Sequence, residues 1–136
     1  MALKESNMLP LGTKAPSFNL PDTISGENLS FKDVRSNVAT VVMFICNHCP
    51  YVQKQLGRMK ALVNELKPLG VNVIGINSND DTEYPEDSFD GMRLVARNEN
   101  LPFVYLHDET QAIAKAYGAV CTPDIFGFNG ALEMQY

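Results

Sequence analysis

Hydrophobic residues along the chain follow two alternating periods, and each period predicts a type of element. Residues 38–45 are almost continuously apolar and rich in β-branched side chains, which is typical of a strand buried on both faces of a parallel sheet. The next apolar positions recur every three or four residues, which predicts the buried face of a helix that ends at about Gly70. These positions are Val52, Leu56, Met59, Val63 and Leu66.

The rest of the chain continues this alternation of strand and helix patterns. The further predicted strands are 17–20, 28–31, 71–77 and 103–106, and the further predicted helices end near residue 98 and at Gly118. Asp108 and Gln111 precede the last helix with the spacing of a capping box. Asn129-Gly130 separates two short segments, 124–128 and 131–136, and therefore predicts a hairpin.

The order of these elements predicts the fold class. Strands separated by helices imply a parallel core, and a hairpin at the end adds antiparallel strands. The 136 residues contain no internal repeat and no linker segment. The sequence therefore predicts one α/β domain over residues 1–136, with a mixed central β-sheet flanked by helices.

Composition and charge narrow the classes of partner. The 16 acidic and 11 basic side chains give a net charge of −5, which argues against nucleic acid and against an anionic membrane surface, because both attract clustered Lys and Arg. The N-terminus lacks the pattern of a secretory leader, and the longest apolar run, 41–46, is too short to span a bilayer. We therefore expect a reducing cytoplasmic setting, in which three cysteines do not form a disulfide framework.

Two of the three cysteines lie in Cys46-Asn47-His48-Cys49, between the buried strand and the amphipathic helix. The unpaired amides and the positive end of a helix N-terminus favour a thiolate over a thiol. This position predicts Cys46 as the nucleophile and Cys49 as the thiol that resolves a mixed disulfide on Cys46. A protonated His48 stabilises the thiolate further, which makes the disulfide a stronger oxidant.

Cys46-Asn47-His48-Cys49-Pro50 after a hydrophobic strand, with Thr122-Pro123 before a later strand, resembles the thioredoxin-like superfamily. Three further segments resemble its AhpC/TSA (redoxin) family in particular. They are Leu11-Gly12-Thr13-Lys14-Ala15-Pro16-Ser17-Phe18, Gly75-Ile76-Asn77-Ser78-Asn79-Asp80 and Asp108-Glu109-Thr110-Gln111. The resemblance covers residues 9–136, which is nearly the whole chain.

The resemblance implies a thioredoxin-like fold and a thiol–disulfide oxidoreductase. Such a protein exchanges a disulfide with a dithiol of a protein partner and needs no cofactor. The resemblance also implies a cis Pro123 that packs against the CxxC motif, so that the backbone of Thr122 contacts a substrate chain. Cys121 precedes this pair, either as a third thiol within reach of the motif or as a small buried hydrophobe.

The sequence departs from the family pattern at three places. The strand 38–45 contains no carboxylate, so the buried acid of thioredoxin itself is missing. Met43 occupies the threonine position of the peroxiredoxin motif Pro-x-x-x-Thr-x-x-Cys, which argues against efficient peroxide reduction. The family also continues into another strand and a covering helix, so we expect a chain that is truncated at the C-terminus and lacks its C-terminal helix.

The expected loss of that helix has a consequence for the last predicted strand. Leu132, Met134 and Tyr136 alternate and therefore share one face of the strand. An apolar face without a covering helix is expected to be exposed, and exposed apolar faces tend to be association surfaces. We therefore expect self-association through the uncovered C-terminal strand.

Other interpretations of the cysteines stay open beside disulfide exchange. Cys46 alone fits a thiol-dependent peroxidase, a peroxiredoxin-like antioxidant protein. Cys46, Cys49 and His48, with or without Cys121, fit a module that binds a soft metal such as copper(I) or an iron–sulfur cluster. The two cysteines also fit a pair of core thiols. A zinc site is not predicted, because the sequence has no second CxxC and no pair of histidines at ligand spacing.

Two polar features of the sequence are predicted to have no chemical role. His107 follows a short strand and is expected to be a surface or loop histidine. The acidic run from Asp80 to Asp87 lacks the ligand spacing of a calcium loop, so a solvated loop is expected there.

Overall fold

The structure is a computed structural model that describes residues 10–47, 50–79, 84–119 and 123–135, without the side chain of Tyr51. Within these ranges the strands are β1 (Asn19–Pro21), β2 (Asn28–Ser30), β3 (Ala39–Phe44), β4 (Val71–Asn77), β5 (Val104–His107) and β6 (Asp124–Asn129). The α-helices are α1 (Phe31–Val34), α2 (Pro50–Leu66), α3 (Phe89–Asn98) and α4 (Ala112–Tyr117). One-turn 3-10 helices, Lys67–Leu69 and Pro85–Asp87, follow α2 and precede α3.

Four strands form the central sheet in the order β5-β4-β3-β6. β3, β4 and β5 run parallel, with Val42 opposite Ile74 and Ile74 opposite Val104. β6 runs antiparallel to β3, with Phe126 opposite Val42, and β1 and β2 form a separate antiparallel pair. The predicted α/β class and mixed sheet are therefore confirmed.

The central sheet separates two hydrophobic cores. Phe44 of β3 lies in the first core, where its ring centroid is 5.4 Å from that of Tyr117 in α4. Met43, the preceding residue, lies in the second core with Val63 of α2 and Cys46. Adjacent residues of a strand point to opposite faces, so β3 contributes to both cores, and this accounts for its continuous apolar sequence.

The helix predicted from the apolar period is α2. Val52 and Val63 are 5 % and 3 % exposed, so the predicted face is the buried one. The 3-10 turn Lys67–Leu69 and Gly70, with a φ of 84°, end the helix where the sequence predicts. Among the described residues, no helix combines the length and apolar character needed to cross a membrane.

The capping box predicted before α4 is wrong in its detail. Gln111 has a left-handed backbone, with a φ of 65°, and its side chain makes no capping hydrogen bond. The Asp108 carboxylate instead accepts hydrogen bonds from the amides of Ile113 and Ala114 at 3.1 and 3.0 Å. The left-handed conformation of Gln111 reverses the chain direction between Asp108 and α4. The Asp108 side chain therefore caps the helix although Asp108 lies three residues before the N-cap residue.

The C-terminal hairpin forms, but its turn is longer than a two-residue Asn-Gly turn. The Asn129 amide donates to the carbonyl of Glu133 at 3.0 Å, and Leu132 has a left-handed φ of 61°. Leu132 is therefore not an extended residue that shares a strand face with Met134. Beyond the turn, an isolated antiparallel bridge joins Phe128 and Met134.

The prediction of an uncovered C-terminal face is wrong at Met134, which is only 1 % exposed. The N-terminal segment pairs with this part of the chain: the Gly12 amide donates to the Met134 carbonyl, and the Met134 amide donates to the Thr13 carbonyl, both at 2.8 Å. Met134 thereby packs into the first core. Leu132 packs partly buried against the same core, and Tyr136 lies outside the described residues.

Candidate redox site

Cys46 follows β3 at the edge of the sheet where the three parallel strands end. The Ile45 amide still donates to the Ile76 carbonyl at 2.9 Å, so the chain leaves the sheet only at Cys46. α2 begins at Pro50, and residues 46–49 therefore join the central strand to the helix start. Cys46 is 1 % exposed and belongs to the second core. His48 and Cys49 lie outside the described residues, and their roles stay predictions.

Pro123 lies near the same edge of the sheet. It precedes Asp124, which pairs with Phe44 in the register of β6 against β3. Phe44 is the last residue of β3 and lies two residues before Cys46. The half-buried Pro123 is therefore next to the end of β3. Cys121 and Thr122 lie outside the described residues, so a third thiol and a backbone contact with substrate stay predictions.

A cavity of about 400 Å³ is lined by Cys46 and by residues from the start of α2 and the end of α3. Its volume falls within the usual range of ligand pockets, about 300–1,000 Å³. Much of its wall is apolar, from residues such as Val52, Leu56 and Val95. The polar lining residues are Asn47, Gln53, Asn98, Glu99 and Tyr105. Cys46 therefore borders this cavity, although only 1 % of the residue is exposed.

Hydrogen bonds to the turn Pro85–Asp87 fix Asn47, the residue after Cys46. Its backbone amide donates to Oδ1 of Asp87 at 2.6 Å, and its side-chain amide donates to the Glu86 carbonyl at 2.6 Å. The Gln53 side chain of α2 donates to the Asn47 carbonyl at 2.7 Å. These bonds hold Asn47 and the peptide unit that joins it to Cys46.

Asp87, Asn77 and Tyr105 continue these bonds into a buried polar network. Asp87 and Asn77 are fully buried, and Tyr105 is 1 % exposed. Nδ2 of Asn77 donates to Oδ1 of Asp87 at 2.8 Å and to the Tyr105 hydroxyl at 3.2 Å. The Tyr105 hydroxyl donates to Oδ1 of Asn47 at 2.8 Å. Removing one acceptor from such a network leaves buried donors unpaired, which is costly in a low dielectric.

Tyr105 is held by its backbone as well as by its hydroxyl. Its amide donates to Oδ1 of Asp22 at 3.2 Å, and its carbonyl accepts from the Thr23 hydroxyl at 2.8 Å. Burial raises the pKa of Tyr105 far above its ordinary value, the hydrogen bond from Asn77 lowers it, and the charges of Asp87 and Cys46 raise it. The hydroxyl therefore stays protonated at neutral pH and serves as a hydrogen-bond donor.

Local hydrogen bonds and a glycine shape the turn that carries Asp87. The Asp87 amide donates to the Tyr84 carbonyl at 2.9 Å, and Ser88 then caps α3 by accepting from the Gly91 amide at 3.1 Å. A Cβ atom at Gly91 would lie 2.5 Å from the Glu86 carbonyl oxygen. Glycine at that position therefore allows the turn to pack directly on the first turn of α3.

The structure corrects the interpretation of the acidic run as a solvated loop. Asp87 is fully buried, whereas Glu86 is exposed, and residues 80–83 lie outside the described residues. The sequence does place Asp87 after the carboxyl end of a predicted parallel strand. Binding and catalytic residues converge at the carboxyl ends of such strands, so this position was a signal for a functional residue. That signal alone does not say which residue of the run turns inward.

His107 is a buried strand residue and not a surface histidine. It is the last residue of β5 and pairs with Asn77 of β4. Only 5 % of the residue is exposed, and the Phe89 ring packs against it in an edge-on arrangement at 6.2 Å between centroids. The start of α3, which the sequence does not place relative to β5, covers this histidine.

The described residues contain no group of three or more His, Cys, Asp or Glu side chains that would hold a metal ion. The soft-metal interpretation depends on His48, Cys49 and Cys121, which lie outside those ranges. It therefore stays an open alternative.

The profile of the AhpC/TSA family matches residues 11–134 of the chain. Peroxiredoxin Bcp of Escherichia coli (strain K12) is 30 % identical over 112 residues, which are 82 % of this chain and 66 % of that protein. The chain thus spans slightly less than two thirds of the length of this curated relative.

Solved structures share the fold over nearly all of the chain. An uncharacterized conserved protein from Geobacillus kaustophilus superposes with a TM-score of 0.97 at 49 % identity, covering 100 % of this chain and 72 % of that one. The thioredoxin domain of a thiol-disulfide oxidoreductase from Bacteroides vulgatus superposes with a TM-score of 0.76 at 16 % identity, covering 93 % and 86 %. The predicted thioredoxin-like fold is confirmed, and the match of the family profile to residues 11–134 shows that the chain belongs to the AhpC/TSA family.

Proposed function

We propose that this protein is a thiol–disulfide oxidoreductase in which Cys46 is the nucleophile. The Cys46 thiolate attacks one sulfur of a partner disulfide, forms a mixed disulfide and releases the other partner sulfur as a thiolate. Cys49, as a thiolate, then attacks the Cys46 sulfur, closes the Cys46–Cys49 disulfide and releases the second partner thiolate. Two electrons pass from the protein dithiol to the partner disulfide, and the reverse sequence oxidises a partner dithiol.

The proposal is carried by the position of Cys46 between the end of β3 and the start of α2, beside a cavity. A helix start favours a thiolate, and the cavity gives a partner sulfur room to approach. The burial of Cys46 supports the competing interpretation, because thiols in apolar cores are usually inert. The two interpretations differ in one measurable quantity, the reaction rate of the Cys46 thiol.

The other site residues have defined roles in this proposal. His48, when protonated, stabilises the Cys46 thiolate, and Thr122 with Pro123 forms the contact with the partner chain. The partner is a protein dithiol or disulfide, the setting is the cytoplasm, and no cofactor takes part. Self-association is a separate proposal, and light scattering after size exclusion tests it: a monomer mass at every concentration contradicts it.

Near neutral pH, iodoacetamide is expected to alkylate Cys46 faster than Cys49 or Cys121, because helix amides and His48 both favour its thiolate. The reduced full chain is sampled over time, and mass spectrometry of its peptides gives one rate for each cysteine. The same reaction in denaturant is the control, since unfolding removes these environments and the three rates converge. Faster labelling of Cys49 or Cys121 in the folded chain contradicts the assignment and favours the core-thiol interpretation.

A thiol peroxidase is the second candidate, and the similarity to peroxiredoxin Bcp favours it. In that reaction the Cys46 thiolate attacks one peroxide oxygen and becomes a sulfenic acid, while the other oxygen leaves as water or an alcohol. Cys49 then condenses with the sulfenic acid, forms the disulfide and releases water. Buried Met43, at the threonine position of the peroxiredoxin motif, argues against this function.

The two candidates differ in the oxidant that Cys46 prefers. The rate of Cys46 oxidation by hydrogen peroxide is compared with its rate of reaction with a protein disulfide at equal concentrations. A faster reaction with the protein disulfide is expected. A faster reaction with peroxide favours the peroxidase.

A further inference from the structure

We propose that Asp87 is a positioning residue for Cys46: it holds the peptide that follows this cysteine and, through its charge, makes the thiol harder to ionise. The inference deepens the proposed function, on which its redox meaning rests. The acidity of Cys46 is nevertheless measurable whether or not the thiol exchanges disulfides.

Asp87 forms a hydrogen bond with the peptide unit that directly follows Cys46. Oδ1 of Asp87 lies 2.6 Å from the Asn47 nitrogen, which is bonded to the carbonyl carbon of Cys46. Asp87 also accepts hydrogen bonds from Asn77 at 2.8 Å and from Asn79 at 3.2 Å. Three amide donors on one carboxylate favour its ionised form, so a fixed negative charge lies one peptide unit from the cysteine.

That charge opposes formation of the Cys46 thiolate, because like charges repel. Asp87 is fully buried and Cys46 is 1 % exposed, so water screens the repulsion less than at a surface. The Tyr105 hydroxyl lies near both groups, since the charges of Asp87 and Cys46 each raise the pKa of Tyr105. The carboxylate and the thiol therefore both lie within electrostatic range of one buried hydroxyl.

Among the described residues, other ionisable groups also lie at this end of the sheet, including the buried Asp124 of β6, which is opposite Phe44. Glu99, the residue after α3, lines the same cavity, but its side chain is 47 % exposed and pairs with Lys60 of α2 at 3.2 Å. The α2 residues that line the cavity carry no charge, and β4 and β5 contribute Asn77 and Tyr105 to the network. Glu86, in the same turn as Asp87, is exposed and contacts Asn47 through its carbonyl. The remaining titratable neighbours in sequence, His48 and Cys49, lie outside the described residues.

The test measures the pH at which Cys46 becomes reactive in the full chain. The rate of Cys46 alkylation is followed by peptide mass spectrometry from acidic to alkaline pH. Asp87→Asn removes the charge and retains an oxygen that accepts from the Asn47 amide. Asp87→Ser removes the charge with a shorter side chain, and Asp87→Glu keeps the charge. Glu99→Gln is the matched control, a carboxylate-to-amide change at the exposed rim of the same cavity.

The midpoint of the curve of Cys46 alkylation rate against pH is expected to fall by about one pH unit in Asp87→Asn and Asp87→Ser. Below the midpoint, alkylation is then about tenfold faster. Asp87→Glu and Glu99→Gln are expected to stay within about half a unit of wild type, because the charge is kept or already screened. If Asp87→Asn fails to fold, Asp87→Ser against Asp87→Glu gives the same comparison. Equal midpoints in all variants, or a shift in Asp87→Glu as large as in the neutral variants, overturn the proposal.

The wild-type data separate this inference from the proposed function. If Cys46 is the slowest thiol to react but its alkylation midpoint shifts when the charge at residue 87 is removed, the redox proposal fails and the role of Asp87 stands. If Cys46 is the fastest thiol and its alkylation midpoint does not shift when that charge is removed, only the role of Asp87 fails.

Discussion

Replacing Cys46 by serine is expected to lower the rate of disulfide exchange by about a thousandfold or more, as loss of a nucleophile does in other enzymes. A serine hydroxyl is not ionised near neutral pH and cannot form a disulfide, so the first step has no attacking group. The rate is measured as reduction of a protein disulfide by the full chain. Denaturant unfolding of the same variant checks that the buried serine leaves the fold intact.

Cys49→Ser is the matched variant for this experiment, because it keeps the nucleophile and removes the resolving thiol. It is expected to accumulate a mixed disulfide, visible as the summed mass of protein and partner, whereas Cys46→Ser accumulates none. Accumulation in Cys46→Ser instead of Cys49→Ser would show that the two roles are reversed. A wild-type rate in Cys46→Ser would remove this cysteine from the mechanism.

Replacing Met134 by alanine is expected to lower the free energy of unfolding by about 2–5 kcal/mol, the usual cost of truncating a buried methionine. Met134 is 1 % exposed and packs in the first core, while its backbone pairs with Gly12 and Thr13. A loss of this size is a large part of the roughly 5–15 kcal/mol that stabilises a typical domain. Denaturant unfolding, analysed from midpoint and slope, measures it.

Gln135→Ala is the control for Met134→Ala, since Gln135 is the next residue and is exposed. A surface substitution of this kind changes stability by no more than about 0.5 kcal/mol. Equal, small effects of the two substitutions would mean that Met134 is exposed after all, as expected from the sequence alone. The two results therefore discriminate between a covered and an uncovered C-terminal segment.

The sequence by itself determined the order and type of the main elements. Residues 71–77 form β4 as predicted, and the apolar period from Val52 to Leu66 marks the buried face of α2. Both signals are local, because a period of two or of about 3.6 residues follows from the backbone geometry of one element. The junction of strand and helix at Cys46 is equally local, so the sequence predicts the candidate nucleophile without tertiary contacts.

The tertiary structure decided what surrounds that nucleophile. Asp87 and Tyr105 follow Asn47 by 40 and 58 residues, and both reach it only because β4 and β5 pair beside β3 in one parallel register. β3 contains no carboxylate, and the one that accepts from the Asn47 amide comes from the turn before α3. No local pattern distinguishes Asp87 from the exposed acid beside it.

Burial at the end of the chain and at the sheet edge was also decided by long-range contacts. Met134 is covered by a segment about 120 residues earlier in the chain, and His107 is covered by Phe89 at the start of α3. Alternation along a strand shows which residues share a face, but not what lies against that face. The sequence therefore determined the elements and the thiol motif, whereas pairing between distant segments determined which side chains are buried and which charge acts on Cys46.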